Sequence, residues 1–339
     1  MKIALLGLDS FFFASALIDA LRATPGCELA ACCDLGVPPQ DVRDNAGLYP
    51  DELARRAGAP LYHSLADLFA ARDVEGVCVA TRPSRLPDVL PALAGRGLHA
   101  YLVKPAVASE RDLESLAAFL SSDAGVVVSG LTARLDPVLR DARERVAAGA
   151  VGKPAAVRVM HQHGRLTSWP RTSWYFEAAE APPAINLGWY CVDLLGWFTG
   201  SRLEDLSGRA GRLVDRDSPH PDYIKAVGRL KSGALASLDI LFGVAWPYPA
   251  FEIEVIGETG AIRVSQPCAA GQWFTARGAL GFGQPPADLL QAELRQWVRA
   301  CGGGEEPFIT GEEIVANLRD CFLLERSLAA GSGGRASGA

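Results

Sequence analysis

The sequence predicts an α/β fold in two parts: an N-terminal Rossmann domain with a doubly wound parallel sheet, and a C-terminal α+β domain with a large open, mainly antiparallel sheet. In the first third of the chain, short continuous apolar runs alternate with helical segments, which is typical of a parallel sheet covered on both faces. In the second half, apolar runs follow one another across turns too short for a crossover helix. A length of 339 residues also exceeds what one compact core usually supports.

Residues 1–130 form the first predicted domain. Pro50 at a helix start and Gly58 just past its end bracket one helix, and Ser109 with Asp112 resembles a capping box for another. The helices are expected at Ala14–Ala23, Asp51–Ala57 and Glu110–Leu120, with two more beginning at Ser64 and Ser84. The strands are expected at Ile3–Leu6, Glu28–Cys33, Gly76–Ala80, His99–Leu102 and Val126–Ser129.

Residues 131–330 form the second predicted domain. The clean alternation in residues 251–255 predicts a strand with one buried and one polar face. The strands are expected at Val157–His163, Tyr223–Leu230, Ala234–Phe242 and Phe251–Ile256. The helices are expected at Ile185–Phe198, Ala287–Cys301 and Gly311–Ala329. Residues 331–339 are rich in glycine and serine and are expected to form a disordered tail.

Composition and charge exclude several classes of function. The net charge of −6 gives no electrostatic basis for binding nucleic acid or an anionic membrane, and no apolar run is long enough to cross a bilayer. Eight scattered cysteines without a Cys-x-x-Cys motif indicate buried thiols in a reducing cytoplasm. His161 and His163 share one face of a predicted strand, but no further ligands lie in register, so no metal site is expected.

The turn after the first strand is the candidate phosphate loop of a dinucleotide site. Of the three glycines in a Gly-x-Gly-x-x-Gly loop only Gly7 is present, Asp9 brings a negative charge toward the pyrophosphate, and Ser10 follows. A plain strand–turn–helix without phosphate is the alternative. Asp34 ends the second strand 27 residues after Gly7, close to the spacing of an acid that binds ribose hydroxyls. No arginine follows Asp34 directly, which favours NAD over NADP.

Candidate catalytic residues occur after the fifth strand and on the strongest predicted helix. Lys104 follows the strand and is therefore expected at the carboxyl edge of the sheet, where a lysine can hold a substrate hydroxyl. Asn186, Tyr190 and Asp193 occur at i, i+4 and i+7, which places them on one helix face. His163 is a further candidate for substrate contact, whereas a structural role is expected for His161.

Motifs along the chain occur in the order found in one known family. Gly76–Ser84 is similar to an Ala-Thr-Pro-Pro stretch, and Gly97–Pro105 is similar to a Glu-Lys-Pro motif. Ala150–Pro154 is similar to an entry into a second domain, and Asn186–Asp193 to an Asp-x-Gly-x-His-x-x-Asp helix. Later landmarks match at Glu254–Gly260 and Phe308–Glu313. Through these residues the chain resembles the Gfo/Idh/MocA oxidoreductases, from residue 1 to about residue 330.

The resemblance implies an NAD(P)-dependent oxidation or reduction of a sugar, cyclitol or related polyol. It implies that Lys104 acts at nicotinamide and substrate, and that Asn186 and Tyr190 occupy the acid–base positions of the helix. A phenol near a lysine ammonium has a depressed pKa, so Tyr190 can serve as proton donor. The cofactor-binding residues are then Gly7, Asp9, Ser10, Asp34, Thr81, Pro83, Ser84 and Lys104, and the substrate-binding residues are His163, Asn186 and Asp193.

Four positions depart from the family pattern around the predicted cofactor crevice. Asp9 occurs in the phosphate loop, Val103 replaces the glutamate of the Glu-Lys-Pro motif, and Asn186 replaces the helix aspartate. A run of glycines before the helix is replaced by residues 180–182. These departures leave two alternatives to a dehydrogenase: a non-catalytic sugar- or nucleotide-binding regulator, and an NAD-assisted glycosidase or epimerase.

The expected partners are a small polyol or sugar-like substrate and further copies of the chain. One face of the open sheet has no helix in the sequence that could fully cover it. Burial of that face against a second copy would form a homodimer or a homotetramer.

Overall fold

The computed structural model describes residues 1–10, 13–163, 170–180, 182–242, 251–266, 270–285 and 287–332, and the chain divides into two compact units. Unit 1 contains Met1–Thr132, Trp169–Ala181 and Asp288–Ala316, and unit 2 contains Ala133–Ser168, Pro182–Ala287 and Asn317–Ala339. The first change of unit falls close to the predicted boundary after residue 130, but two later segments return to unit 1. Residues 333–339 of the expected tail lie outside the described residues.

A six-stranded sheet forms the centre of unit 1, in the order β3-β2-β1-β4-β5-β6. The strands are β1 (Lys2–Leu6), β2 (Glu28–Cys33), β3 (Leu61–Tyr62), β4 (Gly76–Val79), β5 (His99–Leu102) and β6 (Val127–Ser129). Every pair of neighbours is parallel. The chain adds strands on one side of β1 and then crosses to the other side at β4, so the predicted doubly wound parallel sheet is confirmed.

The helices of unit 1 connect its strands, and one further helix belongs to the segment that returns to unit 1 late in the chain. They are α1 (Phe13–Arg22), α2 (Pro39–Ala46), α3 (Pro50–Ala57), α4 (Leu65–Ala71), α5 (Leu86–Leu93), α6 (Leu113–Leu120) and α10 (Leu289–Cys301). Helix α2 was not predicted, because its buried residues, Val42 and Asn45, form no apolar stripe. Helix α10 joins unit 1 because it buries Leu294 and Trp297 completely, and the Trp297 ring lies 5.9 Å from that of Tyr101.

An eight-stranded sheet forms the centre of unit 2, in the order β14-β13-β12-β11-β7-β10-β9-β8. The strands are β7 (Pro154–Gln162), β8 (Leu203–Gly211), β9 (Tyr223–Leu230), β10 (Leu235–Leu241), β11 (Phe251–Gly257), β12 (Gly260–Gln266), β13 (Ala270–Thr275) and β14 (Gly278–Gly283). Strands β7 and β10 pair in parallel, and the other pairs are antiparallel. The mainly antiparallel sheet is confirmed, although β8, β12, β13 and β14 were not predicted. Strand β14 is largely exposed and contains three glycines, so it lacks a period-two apolar signal.

The helices of unit 2 differ from the prediction around residue 187. The single helix expected at Ile185–Phe198 is divided at Leu187 into α8 (Pro183–Asn186) and α9 (Gly188–Thr199). A Cβ added at Gly188 would lie 3.3 Å from Leu324 Cδ2, so the glycine permits close packing at the start of α9. Helices α9 and α7 (Pro137–Ala147) pack on the eight-stranded sheet, and α11 (Gly311–Ser332) is the last helix of the chain.

Three further properties hold for the residues that the structure describes. The seven cysteines among them are free thiols. No helix in the described ranges is long and apolar enough to cross a membrane. No group of three or more His, Cys, Asp and Glu side chains in these ranges is arranged to hold a metal ion.

Candidate active site

The carboxyl edge of the six-stranded sheet brings together residues that the sequence predicts to bind a cofactor. Gly7, Asp34, Thr81 and Lys104 follow the ends of β1, β2, β4 and β5, which are adjacent in the sheet. The chain crosses over between β1 and β4, and ligands of open α/β sheets bind at such a crossing. Four of the predicted residues therefore lie along one edge within unit 1.

Gly7 makes the turn after β1 possible. Its φ is +99°, and a Cβ at this position would lie 2.5 Å from Thr81 Cβ, so no other residue fits without a shift. The Gly7 N–H donates to the Cys33 carbonyl at 2.8 Å, and the Ser10 N–H donates to the Ala80 carbonyl at 3.0 Å. The loop is therefore held between β2 and β4, in the position that a phosphate-binding turn takes.

Asp9 places a carboxyl group where a phosphate-binding loop usually has no acidic residue. Arg82 lies beside it and partly offsets its charge. The Asp9 side chain is fully buried, and Arg82 Nε lies 3.4 Å from its Oδ2. Burial raises the pKa of the Asp9 carboxyl, while the Thr81 hydroxyl and the charges of Arg82 and Arg85 lower it. A carboxyl with a raised pKa and a cationic neighbour repels a pyrophosphate less than an isolated carboxylate does. The negative residue in the loop is thus partly neutralised within unit 1.

Arg82 also pairs with two glutamates that the sequence analysis did not assign to the site. Its Nη1 lies 3.1 Å from Glu177 Oε1 and 3.8 Å from Glu180 Oε1. From the same segment, the Trp174 indole N–H donates to the Asp9 carbonyl at 2.7 Å. Arg82 follows Thr81 directly in the sequence, but the spacing gives no sign that three carboxylates converge on it.

Glu180 binds the start of the turn that leads into α5. Its carboxylate accepts from the Ser84 hydroxyl at 2.5 Å and from the Ser84 N–H at 3.2 Å. Burial raises the pKa of Glu180, and the two bonds from Ser84 lower it. Pro83 opens the same single 3₁₀ turn and is buried. The donors of Ser84, one of the predicted cofactor residues, are therefore engaged by Glu180.

Asp34 stands directly after β2 with its carboxylate in a fixed orientation. The residue is 3% exposed, and its Oδ1 accepts from the Gly36 N–H at 2.9 Å. Its Oδ2 lies 2.7 Å from His63 Nδ1. A buried, oriented carboxylate at this strand end suits the hydroxyl groups of a ribose. With the turn at Gly7, it makes this edge fit a dinucleotide, and Asp9 is the residue that departs from the pattern.

Lys104 and Glu293 form a second group at the same edge. The Glu293 side chain is fully buried, and its carboxylate accepts from the Tyr101 hydroxyl at 2.7 Å and from the Leu131 N–H. Desolvation lowers the pKa of the Lys104 amine to about 7, and the charge of Glu293 opposes that shift. Burial likewise raises the pKa of Glu293 to about 7, against its bonds from Tyr101 and Leu131 and the charge of Lys104. Glu293 is not among the predicted site residues, because the helix that carries it is expected in the second domain.

The predicted substrate residues of unit 2 occur at the start of α9 and at the end of β7. Tyr190 is 8% exposed, and its ring meets the His161 ring edge-on at 4.9 Å and the Phe251 ring at 5.4 Å. His161 stacks on Phe251 at 4.2 Å, as expected of a structural histidine. Asn186 ends α8 and is 5% exposed. The His163 ring lies 5.7 Å from that of Phe242.

Asp193 belongs to a buried ion pair of unit 2. Its carboxylate accepts from Arg134 Nε at 3.0 Å and Nη2 at 2.6 Å, and from Asn317 Nδ2 at 2.8 Å. The Asp193 side chain is fully buried, and Arg134 is 8% exposed. The expectation that Asp193 holds a substrate is therefore corrected: both of its oxygens are bound by unit 2 itself, and the carboxylate has a structural role.

Comparison with known proteins confirms the predicted resemblance. Residues 139–263 match the family described as GFO/IDH/MocA C-terminal domain. The chain is 25% identical over 291 residues to inositol 2-dehydrogenase 3 of Saccharopolyspora erythraea, which covers 84% of this chain and 80% of that protein.

Two solved structures share the fold over nearly the whole chain. One is an oxidoreductase from Agrobacterium radiobacter in complex with NAD⁺, L-tartaric acid and magnesium, with a TM-score of 0.80, 19% identity and coverage of 98% of this chain and 97% of that one. The other is the WlbA dehydrogenase from Bordetella pertussis in complex with NADH and UDP-GlcNAcA, with a TM-score of 0.77, 20% identity and the same coverage. At these identities the likeness establishes the fold.

Proposed function

We propose that this chain is an NAD-dependent oxidoreductase acting on a hydroxyl group of a sugar, cyclitol or related polyol, a proposal supported by the match of residues 139–263 to the GFO/IDH/MocA C-terminal domain. Relatives named inositol 2-dehydrogenase support the reaction class, and neighbours solved with NAD⁺ or NADH support the cofactor. The observation that carries the proposal is the position of Lys104. Its amine, with a pKa lowered to about 7, follows β5 at the carboxyl edge of the sheet.

The carboxyl edge of unit 1 is the proposed NAD site. When bound, NAD supplies the nicotinamide ring that exchanges hydride with the substrate carbon. The turn at Gly7 lets the backbone approach the pyrophosphate, and the Asp34 carboxylate accepts from ribose hydroxyls. Leu35 follows Asp34, so no arginine is supplied there for a 2′-phosphate, which favours NAD over NADP. The remaining proposed contacts come from Asp9, Ser10, Thr81, Pro83 and Ser84, with Ser84 acting through its hydroxyl oxygen as acceptor, because Glu180 takes both of its donors.

Lys104 and Tyr190 handle the proton of the reacting hydroxyl in this proposal. At a pKa near 7, the Lys104 amine is divided between its two protonation states at neutral pH, so it can both accept and release a proton. Tyr190 supplies a phenol that can donate. The Asn186 amide orients a hydroxyl but cannot take a proton, and His163 is a further substrate contact.

The test is reduction of NAD⁺ by a panel of cyclitols, sugars and sugar acids, followed by the absorbance of the reduced cofactor. We expect turnover with at least one polyol for the wild type and for Lys153→Ala, which removes an exposed lysine, and loss of turnover for Lys104→Ala. NAD⁺ binding without turnover on any compound would favour the regulator or the NAD-assisted glycosidase or epimerase. Absence of NAD⁺ binding would exclude both the dehydrogenase and the NAD-assisted glycosidase or epimerase.

We also propose that the outer face of the eight-stranded sheet is buried between two copies of the chain. Val227, Leu235 and Ile256 on β9, β10 and β11 are 63%, 58% and 45% exposed, although their strands lie within one run of four, β11-β7-β10-β9. A homodimer or homotetramer would remove these side chains from water. Light scattering at micromolar concentration should give a multiple of the chain mass, and Val227→Lys with Leu235→Lys should reduce it. A monomer in the unsubstituted chain would overturn this assignment.

A further inference from the structure

We propose that Glu293 is a positioning residue for Lys104, which holds the lysine at the carboxyl edge of the sheet and sets the protonation state of its amine. The inference rests on the proposed function for the use of that amine, but the pairing itself is a property of unit 1. Val103 occupies the place of the glutamate in the family's Glu-Lys-Pro motif, so the residue before Lys104 supplies no carboxylate. Glu293 supplies one from α10.

The geometry fixes the Glu293 carboxylate on both of its oxygens. Oε2 accepts from the Tyr101 hydroxyl at 2.7 Å, and Oε1 accepts from the Leu131 N–H. Tyr101 lies on β5 and Leu131 follows β6, so adjacent strands hold the carboxylate against helix α10. Because both of its oxygens are bonded, the Glu293 carboxylate has little freedom to rotate away from Lys104.

Lys104 lies in the same small space. A Cβ added at Gly130 would approach the Tyr101 hydroxyl at 3.1 Å and the Lys104 Cγ at 3.7 Å, so the lysine stem and the tyrosine hydroxyl meet beside this glycine. The titratable groups that act on Glu293 are Tyr101 from β5 and Lys104 from the turn after it. Because the Glu293 side chain is fully buried, its attraction for the amine is weakly screened by water.

The pairing gives Glu293 control over when Lys104 is a base. An ionised Glu293 stabilises the ammonium form and counteracts desolvation, which by itself favours the neutral amine. Loss of the carboxylate charge therefore extends the neutral amine to lower pH. A residue that only supported the fold would leave the titration of Lys104 in place.

Competitive labelling with acetic anhydride measures this titration on the chain without NAD or substrate. The chain has five lysines, and Lys104 is partly exposed, so its acetylation can be followed by mass spectrometry against exposed Lys153 as internal reference. We expect Glu293→Gln to lower the labelling midpoint of Lys104 by about one pH unit or more. The control Glu305→Gln, which removes an exposed carboxylate just after α10, should leave it unchanged.

Tyr101→Phe provides a second and milder test should Glu293→Gln fail to fold. It removes a bond that favours ionised Glu293, so the Lys104 midpoint should move in the same direction by a smaller amount. An unchanged midpoint in the folded variants, or the same shift in Glu305→Gln, would overturn the proposal. If the midpoint shifts but no polyol reduces NAD⁺, the pairing stands and the proposed function fails. If the wild type turns over, the acidic limb of kcat/KM should shift with the midpoint.

Discussion

The two units each contain a buried acid–base pair, and the two pairs differ in kind. In unit 2, Arg134 grips Asp193 with two parallel bonds, and Asn317 adds a third. A guanidinium keeps its charge across the accessible pH range. In unit 1, the partner of Glu293 is the Lys104 amine, which can lose its proton, and the pKa of each group lies at about 7. The pair in unit 2 is therefore structural, whereas the pair in unit 1 contains two groups that titrate near neutral pH.

Lys104→Ala is the variant with the largest expected effect, because it removes the amine of the unit 1 pair. If the amine handles the substrate proton, kcat should fall by about 10²–10⁴-fold. The free energy of unfolding should fall less than it does when a buried guanidinium loses its partner, because Glu293, whose pKa is already raised to about 7, can take up a proton once the amine is gone. Steady-state kinetics with the best polyol and urea unfolding measure the two effects, with Lys153→Ala as control. Full turnover in Lys104→Ala would contradict the proposal that the Lys104 amine handles the substrate proton.

Asp193→Asn tests the structural side of the comparison. It leaves the buried Arg134 guanidinium without this carboxylate, which should lower the free energy of unfolding by about 3–5 kcal/mol. Asp239→Asn is the matched control, because its partners Lys225 and Arg158 are both exposed and such pairs contribute less than about 1 kcal/mol each. Urea unfolding followed by tryptophan fluorescence gives both values. Equal stability of the two variants would contradict a structural role for the Arg134–Asp193 pair.

Tyr190→Phe tests whether the hydroxyl of Tyr190, in unit 2, takes part in the reaction. The ring stays packed on His161 and Phe251, so the variant should fold and bind NAD as the wild type does. Removal of the hydroxyl should lower kcat by about 10²-fold if the phenol donates a proton. Steady-state kinetics measure kcat, and a titration with NAD measures cofactor binding separately. Unchanged turnover would remove Tyr190 from the mechanism.

The smallest expected effect is a pH dependence of stability that belongs to the unit 1 pair. Between its ordinary pKa of 4.5 and about 7, Glu293 binds more protons folded than unfolded, so its contribution to stability falls as pH rises. Between about 7 and its ordinary 10.5, Lys104 binds more protons unfolded, so its contribution rises with pH. The stability of the wild type minus that of Glu293→Gln with Lys104→Met should therefore be lowest near pH 7. A difference that stays flat with pH would count against the shifted pKa values.

The sequence predicted the fold where apolar runs were continuous and failed where burial was slight. The bounds of β2 and β5 match the prediction, because a buried strand between turn residues appears in the sequence as a continuous apolar run with clear ends. Strand β14 and helix α2 bury too little apolar surface to produce one. Tertiary pairing, rather than local pattern, decides such elements.

The same distinction applies to the candidate site. Gly7, Asp34 and Lys104 were predictable because a strand end fixes where the next residue lies. Glu293 was not, because its bond to Tyr101 joins residues 192 positions apart. The role of Asp193 was misassigned for the same reason: helix periodicity gives the face of a residue, but not that Arg134, 59 positions away, binds it.

Calorimetric titration of NAD⁺ into the wild type and into Asp34→Ala tests the central claim most directly, that the carboxyl edge of unit 1 binds NAD. We expect one molecule of NAD⁺ per chain for the wild type. Binding should be about 10- to 100-fold weaker for Asp34→Ala, since a bond to a charged group contributes about 1.5–3 kcal/mol. Equal affinity in the two proteins, or no heat of binding in the wild type, would contradict the account.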